Sequence, residues 1–427
     1  MRTIPTIASV RSASPPPKVT APAPPKPVWY GQGIMADPAA AGVLYAVWSG
    51  DSGVIACAPP GSGKTALVVL LAATLASRAG LRVAVAAQTR DQAVEIARRL
   101  GALDCPASLW WARTRTQPVG VGRSVTVVTG QATFPRTGGG VVIGTTARWL
   151  FGDPRQLAAD VLIVDEAWQA TYADVGALGA FAAQIVCVGD PGQISPVVTG
   201  PTTRWADSPT GPHQPAPAAL LAAHGDALSL LTLPHTWRLG PDTTALIQPV
   251  FYPQLRFTSR RPPEHITDAA GTQLPEIQPV FTDVAEGPTD PAVLTLLADQ
   301  TRQLLTGTHT TRTGTRPLAP GDVAVVTAHV GQAAGVRALL HDQPGVLVGT
   351  ANQLQGMERA AVVALHPLAG YPEVTEFAAD TGRACVMLSR HRAHLRLVID
   401  RGTTDALAAA EPSPGINAHA ALLAALT

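Results

Sequence analysis

Lysine is almost missing from this chain. Of its 31 basic residues only Lys18, Lys26 and Lys64 are lysines, so arginine serves wherever a generic cation is enough. The one lysine beyond residue 30 therefore calls for a local reason. Charge as a whole is scarce: Asp, Glu, Lys and Arg make up 14% of 427 residues, against about 25% in an average soluble protein. A formal net charge of +1 excludes a wholesale basic, histone-like polyanion binder. Cysteine is scarce too. Cys57, Cys105, Cys187 and Cys385 form no CxxC pair, which argues against a zinc site or a disulfide framework and for a reducing, cytoplasmic setting. The longest apolar run, near Thr65–Ala76, is too short to cross a bilayer, and the N-terminus lacks a signal-like hydrophobic region. No membrane partner is expected.

Glycine and proline, 39 of each, are plentiful. Eight prolines fall within residues 1–27, and residues 1–30 carry Arg2, Arg11, Lys18 and Lys26 without an acid. A disordered basic leader is expected there, available to a protein partner. From 31 to 235 short apolar runs (Val54–Ala58, Val83–Ala87, Val141–Gly144, Val161–Val164, Ile185–Val188) alternate with stretches of helical period. The style repeats over 236–427 with Val323–Thr327, Val346–Gly349, Ala361–Leu365 and Leu395–Ile399. Such alternation predicts two α/β domains with buried parallel sheets, joined near Leu233–Trp237. The Pro/Gly/Thr-rich stretches 199–216 and 258–292 read as surface loops. Trp110 and Trp111, with Arg113 and Arg115 close behind, are equally compatible with stacking on bases and with packing under a loop.

The first motif gives Lys64 its reason. A strand ending at Cys57 runs into Ala58-Pro-Pro-Gly61-Ser62-Gly63-Lys64-Thr65 and then a helical run. Glycines let backbone N–H groups turn toward phosphates, and the helix N-terminus adds its positive end. Gly61, Ser62 and Gly63 would cradle the phosphates of ATP, Lys64 would reach the β- and γ-phosphates, and Thr65 would ligate Mg²⁺. The acidic counterpart is Asp165-Glu166 after Val161–Val164: Asp165 for Mg²⁺ and Glu166 as general base for the attacking water.

A further strand ends in Gly189-Asp190-Pro-Gly-Gln193-Ile-Ser-Pro-Val, with Gln193 placed to sense the γ-phosphate. Here the chain resembles the superfamily 1 helicases, whose third motif reads GDPxQLPPV; Asp165-Glu166-Ala-Trp-Gln169 resembles their DExxQ form. Leu233-Pro-His-Thr-Trp237-Arg238, followed by Phe251-Tyr252, is similar to QYRMHP and its phenylalanine–tyrosine pair in the nonsense-decay (up-frameshift) branch. Val323–Leu340 resembles the ITPYxxQ strand and helix, Thr350–Glu358 resembles TVDSFQGRE, and Cys385–Arg392 resembles NVALTRAR. The chain departs at Trp237 for tyrosine, Asn352 for aspartate and Cys385 for asparagine.

This resemblance implies a near-minimal pair of tandem RecA-like P-loop NTPase domains with ATP at the cleft between them. Arg238 and Arg390 would be arginine fingers, Trp237 would stack on adenine and Glu358 would approach the ribose. Single-stranded nucleic acid, DNA rather than RNA and tracked 5′ to 3′, would meet Gln88, Thr89, Thr145 and Thr146 on the first domain and Thr327, His329, Thr350 and Gln353 on the second. The implied function is an ATP-dependent helicase or translocase. The alternative is an ATPase switch that remodels or recruits a protein partner on nucleic acid without unwinding.

Overall fold

The computed structural model describes residues 31–426. The expected leader, 1–30, lies outside them. Eight strands build the first sheet: β1 (Gly53–Cys57), β2 (Arg82–Ala87), β3 (Ala107–Trp110), β4 (Val125–Val128), β5 (Gly140–Thr145), β6 (Ala159–Asp165), β7 (Ala182–Gly189) and β8 (Leu228–Thr232). All are parallel, in the order β4-β3-β5-β2-β6-β7-β1-β8. One face is covered by helices 64–78 and 90–102, whose Leu67, Leu71, Leu75, Ile96 and Leu100 are buried against Val54, Val83 and Val85. The other face holds Trp149, which meets Trp110 and Phe181 edge-on at centroid distances of 5.6 and 5.3 Å. Burial on both faces explains why the strands read as continuous apolar runs.

Beyond the first sheet come β9 (His235–Thr236), β10 (Thr258–Ser259), β11 (His265–Thr267), β12 (Ile277–Thr282), β13 (Thr308–Thr311) and β14 (Gly314–Pro317). Then follow β15 (Val323–Thr327), β16 (Leu347–Thr350), β17 (Arg359–Leu365) and β18 (His391–Asp400). The second sheet is parallel, in the order β12-β18-β17-β15-β16. The architecture is α/β with two tandem RecA-like units. Among the described residues no helix is long and apolar enough to cross a membrane.

One expectation is corrected and one open alternative is decided. The stretch 258–292 is not all surface loop, because β12 docks along β18 as an edge strand. Pro279 disguises it in the sequence, and an edge strand tolerates a residue without an N–H. Trp110 and Trp111 are core residues, 2% and 8% exposed, and their indole N–H groups donate to the carbonyls of Gly130 and Thr116.

The loop after β7 locks the units together. Ile194 leaves the first sheet and is buried with Leu239, Leu246 and Tyr252 in the second core. A Cβ on Gly192 would lie 2.5 Å from the Tyr252 ring, and one on Gly382 would lie 2.6 Å from the Gln193 carbonyl oxygen. Glycine at both positions permits this close approach.

Candidate nucleotide site

After β1 the chain turns through Gly61 and Gly63, with φ of +72° and +90°, a left-handed region that favours glycine. Gly63 caps helix 64–78 without any side-chain bond, leaving the helix N-terminal N–H groups for an anion. Ser62 Oγ is buried with no partner, and such an orphan fits a phosphate oxygen. Lys64, 8% exposed, places Nζ 3.7 Å from Asp190 Oδ2 and 3.9 Å from Glu166 Oε1.

The acids sit where β6 ends. Glu166 holds a positive φ of 49° without being glycine, a strained state of the kind that clusters at functional sites. Its backbone N–H donates to Asp165 Oδ1 at 3.1 Å. Burial, then the neighbouring Glu166 charge, push Asp165 up to about 7 against the pull of Lys64. Burial likewise raises Glu166, with Lys64 opposing. Asp165, Glu166 and Asp190 cluster around Lys64, with Arg238 and Arg390 across the cleft. Among the described residues no cluster of three or more His, Cys, Asp or Glu could cage a metal. Thr65 and Asp165 instead fit Mg²⁺, which takes most of its oxygens from phosphate and water.

The second unit closes the site. A cleft of about 710 Å³ is lined by Gly61, Ser62, Gly63, Lys64, Thr65, Asp165, Glu166 and Gln193 on one side and Arg238, Glu358 and Arg390 on the other. Arg238 Nε donates to Glu358 Oε2 at 2.5 Å, and its Nη1 donates to the Ser389 carbonyl at 3.2 Å. Burial opposes ionisation of Glu358, yet Arg238 and Arg392 hold it below the usual carboxylate range. Arg390, 1% exposed, donates to the carbonyls of Val386 and Met357 at 2.9 and 3.3 Å and to Ser389 Oγ at 2.8 Å. No described carboxylate pairs with it, and burial together with the Arg238 charge draws it down to about 10. Gln193 spans the junction, donating to Asp190 Oδ2 at 2.7 Å and accepting from Gln355 Nε2 at 2.9 Å.

Residues 40–214 match the family of AAA domains. No curated protein matches the chain. Similar solved structures include the PRRSV helicase, 18% identical over 85% of this chain and 54% of that one, with a TM-score of 0.43. Arterivirus nonstructural protein 10, a helicase solved alone and with DNA, is 16% identical over 84% of this chain, with a TM-score of 0.44 in both cases. The chain spans 61% and 62% of those two structures.

The remaining candidate residues divide. Trp237 is 49% exposed, lies outside the cleft wall and donates its backbone N–H to the Gly61 carbonyl at 2.9 Å. Thr89 and Gln353 line the nucleotide cleft. Thr89 is also half of a capping box with Gln92, while Gln353 Oε1 accepts from the Thr350 N–H. A strand track through Thr146, Thr327 and Thr350 is corrected, because burial takes all three side chains from solvent. Thr146 donates to Gln88 Oε1 at 3.2 Å, Thr327 donates to the His329 carbonyl at 3.1 Å, and Thr350 Oγ1 accepts from the Gln353 N–H. Gln88 in turn donates to the Asp165 carbonyl at 3.1 Å, so it positions the acidic strand end. Thr145 caps helix 146–149, and His329 stacks on Phe377 at 4.9 Å.

Four participants were missed as site residues although their motifs were read. Asp190 anchors Lys64 and Gln193. Tyr252 reaches Asp190 from the second unit. Gln355 meets Gln193. Gln169 lines the cleft with its amide nitrogen buried and unpartnered. The signals were the aspartate of the third motif, the Phe-Tyr pair, the second glutamine of Asn-Gln-Leu-Gln, and the closing glutamine of Asp-Glu-Ala-Trp-Gln.

Proposed function

We propose that the protein is an ATP- and Mg²⁺-dependent motor of the superfamily 1 helicase type, acting on single-stranded nucleic acid. One observation carries this reading: Arg238 and Arg390 from the second unit face Lys64 and Glu166 of the first across a single cleft. Hydrolysis there depends on the angle between the units, which is what a motor needs to couple chemistry to movement. Lys64 would leave its two carboxylates for the β- and γ-phosphates, and the arginines would offset charge developing on the transferred phosphoryl group. Mg²⁺ held by Thr65 and Asp165 would neutralise charge shared by those phosphates. Glu166, its basicity raised by burial, would accept a proton from the attacking water. Gln193, in contact with Gln355 of the second unit, would report the γ-phosphate.

The same reading extends to DNA rather than RNA, to 5′-to-3′ tracking, to the nonsense-decay branch and to the cytoplasm, where four free thiols are at home. Trp237 at the base and Glu358 at the ribose belong to it too, as do Thr145 and His329 beside the strand. Duplexes carrying a single 5′ or 3′ tail, in DNA and in RNA, provide the test. ATP-dependent unwinding of 5′-tailed DNA is expected. Hydrolysis indifferent to every strand would favour the protein-remodelling switch instead.

A further inference from the structure

The segment that carries β3, β4 and β5, away from the P-loop strand β1 in the sheet order, is rich in arginine and poor in acid. Residues 105–159 hold Arg113, Arg115, Arg123, Arg136, Arg148 and Arg155 against one acid, Asp153. That carboxylate is engaged by the Arg155 N–H and Gln156 Nε2. Among the described residues none of the six arginines has a carboxylate partner. The segment contains β3, β4 and β5, which lie together in the sheet order. Of these six, Arg113 and Arg148 follow the carboxyl ends of β3 and β5, whereas Arg123 precedes β4, and Arg136 and Arg155 lie with Arg82 toward the opposite, amino end of the sheet.

Two of these arginines are organised. Arg113, just past β3, donates Nε to the Thr129 carbonyl at 3.2 Å. Arg148, just past β5, donates Nη2 to the next carbonyl, Gly130, at 3.3 Å and lies 4.3 Å over the Trp110 ring. Arg148 Nε is buried with no partner. Burial and the nearby Arg113 charge both lower the Arg148 pKa. Like charges held together without an acid suit an external anion, and the guanidinium fork suits a phosphate. Three residues on, Phe151 is 84% exposed.

We propose that Arg113 and Arg148 clamp the phosphate backbone of a single strand, with Phe151 offering a ring on which a base stacks. The inference rests on the reading of the protein as a strand-dependent motor and adds where the first unit holds the strand. The clamp opens at the carboxyl ends of the parallel strands, as the P-loop does. Four strand spacings separate β5 from β1, about 19 Å, so strand and nucleotide do not compete. An exposed ring three residues beyond one of two neighbouring arginines suits a strand that offers both phosphates and bases better than an acidic peptide.

The test measures binding of fluorescent oligo-dT and oligo-rU over a salt series for wild type, Arg113→Glu, Arg113→Gln/Arg148→Gln, Phe151→Ala and the exposed control Arg78→Gln. Thermal melting verifies folding, and Arg113→Glu, altered only at an exposed side chain, serves if the double variant does not fold. The double variant should bind at least tenfold more weakly. Its log K against log salt slope should be shallower by about 1.4, two contacts at about 0.7 each. Phe151→Ala should lose affinity with little change of slope, and Arg78→Gln should match wild type. Unchanged affinity and slope in Arg113→Glu and the double variant, while wild-type hydrolysis still responds to strands, overturns the clamp and leaves the motor intact. Wild type that binds polyglutamate as tightly as oligo-dT also overturns it, in favour of an acidic protein partner. Wild type whose hydrolysis ignores every strand removes the motor reading and the clamp with it.

Discussion

Tyr252 of the second unit donates its phenolic hydroxyl to Asp190 Oδ1 of the first at 2.8 Å. The other oxygen of that buried carboxylate faces Lys64 at 3.7 Å and accepts from Gln193. Cys385 Sγ lies 3.1 Å from the same hydroxyl. A single carboxylate therefore touches Lys64, Gln193 and the neighbouring unit. On the proposed reading, phosphates that draw Lys64 away would change the balance of this carboxylate's bonds to the second unit.

Tyr252→Phe removes the hydroxyl and leaves a buried acceptor short of one donor. It should cost about 1–3 kcal/mol of stability and lower the strand-stimulated rate while nucleotide affinity stays within twofold. Urea unfolding and ATPase assays with and without oligonucleotide check this; equal stimulation in variant and wild type would contradict the coupling role.

Arg390→Lys keeps charge and most of the volume but loses the planar fork. If Arg390 acts in the transition state, kcat should fall by about 10³ or more with a nearly unchanged nucleotide Kd. Equal losses in both would mark Arg390 as a structural clasp for the carbonyls of Val386 and Met357.

Gly61→Ala places a Cβ 2.3 Å from Arg238 Cβ at a φ of +72°. Strain of at least about 1 kcal/mol and displacement of Arg238 should lower hydrolysis at least tenfold. A lower melting temperature with wild-type turnover would show that this contact is not needed for catalysis.

Acid should weaken the fold. His366, His391, His394 and His419 are buried in the second unit, and burial lowers all four, His394 and His419 to about 4. Their folded pKa lies below the unfolded value near 6.5, so their contribution is complete above 6.5 and lost as pH falls. Each costs about 1.4 kcal/mol per pH unit below 6.5. Asp165 and Glu166, raised by burial, act oppositely, their contribution shrinking as pH rises. Four groups against two leave a net loss, so the urea midpoint should fall between pH 7 and 5.5; a constant or rising midpoint would contradict the assignment.

Much of this was legible in the sequence because buried parallel strands are apolar runs and the P-loop needs glycines and a lysine in fixed order. Short or proline-bearing edge strands hid: β4 has four residues, and β12 carries Pro279. The cleft lining was legible residue by residue, since Lys64, Glu166, Gln193, Arg238 and Arg390 all come together there. The strand face was not, because Thr146, Thr327 and Thr350 look like strand-end hydroxyls in one dimension but spend their bonds on neighbouring turns. The Asp190–Tyr252 link joins residues 62 positions apart, and only folding brings them together.

The most direct measurement compares ATP hydrolysis by wild type and Lys64→Ala with single-stranded DNA, single-stranded RNA and no strand. The account predicts slow strand-free turnover by wild type, marked stimulation by a single strand, and near-background rates for Lys64→Ala throughout. Wild type no faster than Lys64→Ala under all three conditions would contradict it.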